Sequence, residues 1–316
     1  MDRFECSVAS RARDEQQFAT ASPVRRWLTI EVRGAWGRDC VRDTDLSEHV
    51  TPQWRQDLQA HGVRILAVRR NLDRDADGAI RLLYASSGRP GEVHAAAWST
   101  DVEHLSDVMG ATSRMPTGDG DAPPGWQPET RPIALICTNG RHDSCCATFG
   151  RPLMRALRET PWIDQVWECS HVGGDRFAAN VVMLPEGLYY GRVDPDAIEP
   201  LLRLHGERRL LLDNYRGRST FSFGEQAAEY FVRREHGIDG IDAVTDVALD
   251  AELGAFVVDV ADDSAAPQRF AVSLRRTMTP SPTPLTCKGL DGLSYPTYRL
   301  LELRSVDAPG KEISTP

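Results

Sequence analysis

The chain has 316 residues, enough for two or three domains, and its 41% hydrophobic and 26% charged residues are ordinary for a globular protein. A formal net charge of −9 disfavours a nucleic-acid partner, because nucleic-acid-binding proteins present a basic face and no basic run with interleaved aromatic residues occurs. The chain lacks both an apolar segment of bilayer-spanning length and the apolar core of a signal peptide at Met1, so we expect a cytoplasmic protein with no membrane partner.

The first 118 residues are predicted to fold as one α/β unit. Strands are expected at residues 27–32 and 63–68, followed by a hairpin around the Gly-Arg-Pro-Gly turn at residues 88–91. A helix is expected from Thr51-Pro52, because threonine caps helices well and proline suits the first helical position. A second helix is expected over residues 99–109. Residues 119–130, rich in Pro, Gly and Asp, are predicted to be a linker.

The same order of elements is predicted again in residues 131–206. The expected elements are a strand at residues 133–137, a helix at 150–158, a strand at 166–169, a hairpin around 185–187 and a helix from 194 to 204. Strand, helix, strand, hairpin and helix is the order of a thioredoxin-like unit. We therefore expect a thioredoxin-like domain at 131–206, preceded by a degenerate thioredoxin-like half at 1–118.

The character of the chain changes after residue 206. An amphipathic helix is expected at residues 221–236, and alternating strands are expected at 255–260, 268–274 and 298–303. We expect residues 207–316 to form a small α+β domain. The predicted fold class of the whole chain is therefore α/β (α+β).

Four of the seven cysteines, Cys137, Cys145, Cys146 and Cys169, fall within a short central window. In a reducing compartment structural disulfides are rare, so the clustering and the odd total favour a metal or redox site. Cys137 ends a predicted strand and Cys146 directly precedes a predicted helix, whose N-terminus favours the thiolate that binds metal.

A second group of polar residues follows the next predicted strand. Cys169 is followed by His171 and Asp175, with two glycines between them that permit a tight loop. Two loops with candidate ligands are therefore expected at the ends of neighbouring strands.

These segments resemble the sucrase/ferredoxin-like family. The resemblance is carried by residues 137–152 (CTNGRHDSCCATFGRP) and 167–180 (WECSHVGGDRFAAN), while residues 184–193 (LPEGLYYGRV) are similar to the closing hairpin of thioredoxin-like 2Fe–2S ferredoxins. The segments at Cys6-Ser and at residues 27–31 resemble the family less sharply. The resemblance implies a thioredoxin-like ferredoxin domain, a 2Fe–2S cluster, and electron transfer with a reductase and an acceptor protein.

The resemblance also implies a set of cluster ligands. With the closing hairpin in register, Cys137 and Cys146 match the family's first ligand pair, and His171 and Asp175 match the second. Family members with a His-x-Gly-Gly-His motif have a histidine where this chain has Asp175, and a carboxylate oxygen is harder than cluster iron prefers. The fourth ligand therefore stays open. Cys169 is the alternative, as is a cysteine from outside the domain, Cys6 or Cys287.

Other functions stay open on the residues alone. A thioredoxin-like thiol oxidoreductase would use Cys145–Cys146 or Cys137, although no Cys-x-x-Cys motif occurs. A zinc module would use Cys137, Cys146, Cys169 and His171, with a spacing unlike that of common zinc ribbons. A binding module without metal is a further alternative. No nucleotide-binding motif occurs, so an electron carrier is favoured over a stand-alone enzyme, and the sequence predicts no oligomeric state.

Overall fold

The computed structural model describes residues 4–70, 78–92, 94–116, 118–261 and 267–306. The outer limits of the predicted N-terminal and C-terminal domains, residues 1 and 316, lie outside this described part. Within it the chain forms a ten-stranded mixed sheet and a separate four-stranded antiparallel sheet, together with α-helices. The fold is therefore mixed α/β, as predicted.

The helices are α1 (Cys6–Ala12), α2 (Pro52–Ala60), α3 (Val108–Ala111), α4 (Ser144–Ala156), α5 (Ile198–Gly206) and α6 (Phe223–His236). The strands of the large sheet are β1 (Arg26–Glu31), β2 (Val63–Arg69), β3 (Ile80–Ser86), β4 (Ala96–Val102), β5 (Gln127–Glu129), β6 (Ile133–Cys137), β7 (Val166–Cys169), β8 (Val181–Leu184), β9 (Leu188–Tyr190) and β10 (Tyr215–Arg218). The strands of the small sheet are β11 (Val244–Asp250), β12 (Ala255–Val260), β13 (Gln268–Pro280) and β14 (Ser294–Ser305).

The large sheet consists of two halves with the same strand pattern. In the first half β1 and β2 are parallel, β3 is antiparallel to β1, and β4 is antiparallel to β3. Strands β6 to β9 repeat this pattern. Because the two equivalent strands β2 and β7 pair antiparallel, an approximate two-fold axis relates the halves. This topology confirms a thioredoxin-like domain preceded by a thioredoxin-like half.

The two halves share a hydrophobic core. Trp27 of β1 and Leu83 of β3 belong to the same buried cluster as Leu135 of β6 and Trp167 of β7. Burial of aromatic side chains of this size is a large contribution to stability. The first half therefore packs directly against the second half, and it also forms hydrogen bonds with a loop of the second half.

Helix α2 begins as predicted, but two other predicted helix positions were wrong. The Thr51 hydroxyl accepts a hydrogen bond from Trp54 N at 3.2 Å and caps α2. Residues 96–102 form β4 where a helix was expected over residues 99–109, because Thr100 and Ser99 pair with β3 and β-branched residues suit a pleated sheet. Only the short helix α3 follows.

Helix α4 begins at Ser144, well before the predicted start near residue 150. The Asp143 carboxylate explains the earlier start, because Oδ1 accepts a hydrogen bond from Cys145 N at 2.9 Å and caps the helix. Cys145 and Cys146 therefore lie inside the first turn of α4 and not in the preceding loop.

Two strands lie close to the predicted domain limits. Strand β5 lies within residues 119–130, where a linker was expected, and pairs with β4. Strand β10 follows residue 206 and pairs with β9, so the large sheet extends beyond that limit. Helix α6 packs on the small sheet and completes an α+β unit. No helix in the described part of the chain is long and apolar enough to cross a membrane.

Candidate metal centre

The first pair of predicted ligands meets where α4 packs against the end of β6. Cys137 is the last residue of β6 and is fully buried. A Cβ atom at Gly150 would overlap the carbonyl oxygen of Cys137, so only glycine allows this close approach of helix and strand. Cys146 lies one helical turn before Gly150, and the close packing therefore brings its thiol beside that of Cys137.

The second pair lies on the loop that follows β7. Gly173 and Gly174 have φ values of +100° and +82°, which glycine adopts without strain, and they turn the chain between His171 and Asp175. The loop is held by arginines from elsewhere in the fold. Arg64 Nη2 donates to His171 O at 3.0 Å, and Arg216 Nη1 donates to Gly173 O at 3.0 Å.

The structure brings all four predicted ligands together. The ligand atoms of Cys137, Cys146 and His171 lie within 4.8 Å of one another. His171 Nδ1 lies 2.9 Å from Asp175 Oδ1, and the Cys146 thiol donates to the same oxygen at 3.2 Å. His171 Nδ1 is buried, and its contact with Asp175 lacks the geometry of a hydrogen bond. A buried nitrogen with no hydrogen-bond partner is free to bind a ligand or metal.

The charges of the four groups are coupled. Contact with the Cys146 thiol and with His171 lowers the pKa of Cys137. Burial lowers the pKa of His171, but Asp175 and Cys137 outweigh burial and raise that pKa to about 9. Burial raises the pKa of Asp175, and the contact with His171 outweighs it and lowers the pKa. These shifts all favour the charged forms of Cys137, His171 and Asp175 over their neutral forms.

The other cysteines lie outside this group. Cys169 is buried in the same core cluster as Cys137 and pairs with it across β6 and β7, but its thiol does not join the ligand atoms of Cys137, Cys146 and His171 that lie within 4.8 Å of one another. Cys40 donates its thiol to Ile65 O at 3.4 Å. Cys6 and Cys287 pack with Cys145 and not with Cys137. Cys6 and Cys287, the two cysteines from outside the domain, therefore belong to other surroundings, whereas Cys169 lies beside Cys137 and stays the alternative to Asp175 as fourth ligand.

Two residues near the site had little or no signal in the sequence. The ring of His142, which comes from the loop before α4, stacks on that of His171. Arg216 is fully buried and donates to Asn180 Oδ1 at 2.7 Å as well as to the loop. Its role was missed, because nothing in the local pattern distinguishes an arginine of β10 from a surface arginine.

Fold and site together define a thioredoxin-like protein with a cysteine-rich group of potential metal ligands. The family profile described as sucrase/ferredoxin-like matches residues 18–217, which is more than half of the chain. The chain belongs to the sucrase/ferredoxin-like family.

Two curated relatives are fungal proteins, both named "Altered inheritance of mitochondria protein 32". The protein from Eremothecium gossypii is 27% identical over 127 residues, which cover 34% of this chain and 41% of the relative. The protein from Meyerozyma guilliermondii is 30% identical over 98 residues, which cover 28% of this chain and 35% of the relative. The matches thus span less than half the length of either relative.

Two solved structures of cysteine-to-serine variants of the thioredoxin-like [2Fe-2S] ferredoxin from Aquifex aeolicus are similar to part of the chain. They are 15% and 16% identical, with TM-scores of 0.24 and 0.25. Each similarity covers 27% of this chain and 97% of the ferredoxin. The family assignment depends on the sequence match alone.

Proposed function

We propose that the chain binds a 2Fe–2S cluster through Cys137, Cys146, His171 and Asp175, and that it carries electrons between partner proteins. The observation that carries this proposal is the convergence of two thiols and an imidazole within 4.8 Å, beside a buried carboxylate. Membership of a ferredoxin-like family supports the same reading.

The types of donor fit the proposed cluster. Cys137 and Cys146 supply thiolate, the usual ligand of cluster iron, and His171 supplies the imidazole that replaces thiolate in Rieske centres. Asp175 supplies a carboxylate as the fourth donor. The four groups form a thiol pair and a histidine–carboxylate pair, which provides one pair for each of two irons.

A 2Fe–2S cluster supplies one-electron transfer, and the residues of this chain would set its properties. A neutral imidazole in place of a thiolate leaves the centre less negative, so we expect a higher reduction potential than that of an all-cysteine ferredoxin. Arg64 and Arg216 orient the loop that carries His171. His142 shields the ring of His171 from water.

The proposed partners are a reductase and an acceptor protein, in the cytoplasm. A reducing compartment keeps thiols free, and all seven cysteines are free in the structure. An acidic chain with a net charge of −9 suits neither nucleic acid nor an anionic membrane surface.

The test is anaerobic purification followed by iron and sulfide analysis, visible absorption and electron paramagnetic resonance of the reduced protein. We expect about two irons and two sulfides per chain and a rhombic signal. Cys137→Ser and Cys146→Ser should each lose most of the iron. Asp175→Ala should lose iron or change the spectrum, and Asp175→His should restore a stable centre with a shifted spectrum.

Cys40→Ser is the matched control, because its thiol lies outside the group of four. Cys169→Ser tests the alternative fourth ligand, since Cys169 pairs with Cys137 across β6 and β7. Both variants should retain iron at the wild-type level. The proposal fails if the wild-type protein stays free of iron after anaerobic reconstitution with iron and sulfide. The assignment of Asp175 as the fourth ligand is wrong if Cys169→Ser loses iron while Asp175→Ala retains it at the wild-type level.

A further inference from the structure

A second group of metal-ligating side chains lies on the other side of the first turn of α4. It consists of Cys6, Asp143, Cys145 and Cys287, whose ligand atoms all lie within 4.8 Å of one another. Cys6 begins α1, Asp143 caps α4, Cys145 lies in its first turn, and Cys287 lies on the loop between β13 and β14. Residues 281 positions apart in the chain therefore meet at one point.

Three of the distances between these ligand atoms are close to the edges of a tetrahedral zinc site. Cys287 Sγ lies 3.4 Å from Cys145 Sγ and 3.6 Å from Cys6 Sγ, and Cys6 Sγ lies 3.7 Å from Asp143 Oδ1. With zinc–sulfur and zinc–oxygen bonds of about 2.3 and 2.0 Å, a tetrahedron separates two sulfurs by about 3.8 Å and a sulfur and an oxygen by about 3.5 Å. A disulfide would need sulfurs about 2.05 Å apart.

Hydrogen bonds already orient the donors. Asp143 Oδ1 accepts from Cys145 N at 2.9 Å, and Asp143 Oδ2 accepts from Cys287 N at 2.7 Å. The N–H of Cys6 points at Cys287 Sγ at 3.5 Å. Outer hydrogen bonds of this kind hold metal ligands in place. The group is thus preorganised by the backbone of three separate segments.

The buried negative charge of Asp143 also indicates that this group of side chains binds a cation. The side chains of Cys6, Cys145 and Asp143 are almost completely buried. Across the ranges that the structure describes, Asp143 forms no ion pair with an arginine, lysine or histidine. A buried carboxylate with neither counter-ion nor solvent is costly, and a divalent cation would offset that cost.

We propose that Cys6, Cys145, Cys287 and Asp143 bind one Zn²⁺ ion at a closed structural site. Binding would displace one proton from each of the three thiols and connect α1 and the C-terminal domain to the start of α4. The site is separate from the proposed iron centre, because successive helical residues point about 100° apart. Cys146 accordingly packs with Cys137, while Cys145 packs with Cys6.

The test is to measure zinc and iron per chain by mass spectrometry on the full-length protein, purified without chelator. We expect about one zinc per chain, and its loss in Cys6→Ser and in Cys287→Ser. Cys40→Ser should retain zinc, because its thiol lies outside both groups. Cys137→Ser should retain zinc whether or not it affects iron, which separates failure of this proposal from failure of the iron–sulfur proposal.

Titration of the zinc-free wild-type chain with Co²⁺ gives a second readout that needs no variant. Three thiolates and one oxygen around Co²⁺ should produce a tetrahedral spectrum with thiolate charge-transfer bands, and added Zn²⁺ should abolish it.

Four results would overturn the zinc site. The first is a wild-type chain that neither retains zinc nor binds added Zn²⁺ or Co²⁺ under reducing conditions. The second is zinc that is lost in Cys137→Ser but kept in Cys287→Ser. The third is a disulfide between Cys145 and Cys287 in protein purified under reducing conditions, and the fourth is iron and sulfide that depend on Cys287 and not on Cys137.

Discussion

The imidazole ring of His142 stacks on the imidazole ring of His171, with centroids 3.7 Å apart and planes inclined by 12°. His142 comes from the loop before α4, where its Nδ1 lies 3.3 Å from Arg38 O. Its Nε2 also lies 3.9 Å from Asp175 Oδ2. His142 therefore contacts both members of the histidine–carboxylate pair and covers one face of the His171 ring.

We expect His142→Ala to weaken both the fold around the site and the retention of iron. Aromatic stacking contributes about 0.5–1.5 kcal/mol, so the free energy of unfolding should fall by about that amount and iron release should become about 2–10 times faster. Release is measured as decay of visible absorbance with a ferrous chelator. His142→Phe keeps a stacked ring and should release iron at close to the wild-type rate, as should His61→Ala at an exposed position. Equal rates in His142→Ala and wild-type protein would contradict the shielding role.

We expect Gly150→Ala to be strongly destabilising. The added methyl group would overlap the Cys137 carbonyl, so α4 must move away from β6 and separate Cys146 from Cys137. Over-packing of this kind costs about 1–3 kcal/mol, measurable by urea unfolding. Metal content should fall as well.

Gly206→Ala is the matched control for Gly150→Ala. It lies at the end of α5, and a Cβ there would meet no other atom within 4 Å. Its effect should be neutral or slightly stabilising, because alanine is favoured over glycine in helices by about 1 kcal/mol. If both variants unfold at the same urea concentration, close packing of α4 on β6 does not position Cys146.

The alternation of apolar residues and the local cap at Thr51 were enough to predict most strands and α2, because both signals are local. The duplication followed from the repeated order of elements. The prediction failed for residues 99–109, where pairing of Thr100 with Leu82 outweighs local helix preference. It also placed the start of α4 too late, because the Asp143 cap precedes two cysteines and no apolar periodicity.

The candidate metal-binding residues were predictable only in part, because local sequence patterns carry no information about contacts between distant residues. Cys137 and Cys146 flank one loop, His171 and Asp175 follow the next strand, and their spacing and family resemblance single them out. The convergence of Cys6 and Cys287 on Cys145 depends on contacts between residues far apart in the chain, which no local pattern encodes.

The buried ion-pair group at Glu186 predicts a pH dependence of stability. Burial raises the pKa of Glu186, but contacts with His205 and Arg208 outweigh it and lower the pKa from 4.5 to about 2. His205 Nε2 lies 3.4 Å from Glu186 Oε2. Because the folded pKa is below the unfolded value, the stabilisation is complete above about pH 4.5 and is lost as pH falls toward 2.

Glu186→Gln should therefore be less stable than wild-type protein by about 2 kcal/mol at pH 7. The difference between the two proteins should shrink steadily as pH falls below 4.5, the unfolded value. Urea unfolding at pH 7, at pH 5 and at about pH 3 measures it. Glu103→Gln, at an exposed position, should follow the wild-type curve. A difference that stays constant across this range would show that the Glu186 charge does not stabilise the fold.

Arg216 holds the loop between His171 and Asp175 in place through buried hydrogen bonds. Its guanidinium is fully buried and donates to Thr20 O and Asn180 Oδ1, each at 2.7 Å, and to Gly173 O at 3.0 Å. A Cβ at Gly174 would overlap the guanidinium, so the glycine loop and the arginine fit each other.

We expect Arg216→Met to cost about 2–4 kcal/mol in urea unfolding, because several buried acceptors lose their donors. Arg216→Lys should recover only part of this loss, since an ammonium lacks the planar fork that reaches three acceptors. Arg131→Ala, at an exposed arginine, should change stability by less than about 0.5 kcal/mol. Because Arg216 supports the loop that carries His171, Arg216→Met should also lose iron in the assay described above while Arg131→Ala retains it. Full retention of iron by Arg216→Met would mean that the loop keeps its shape without the arginine.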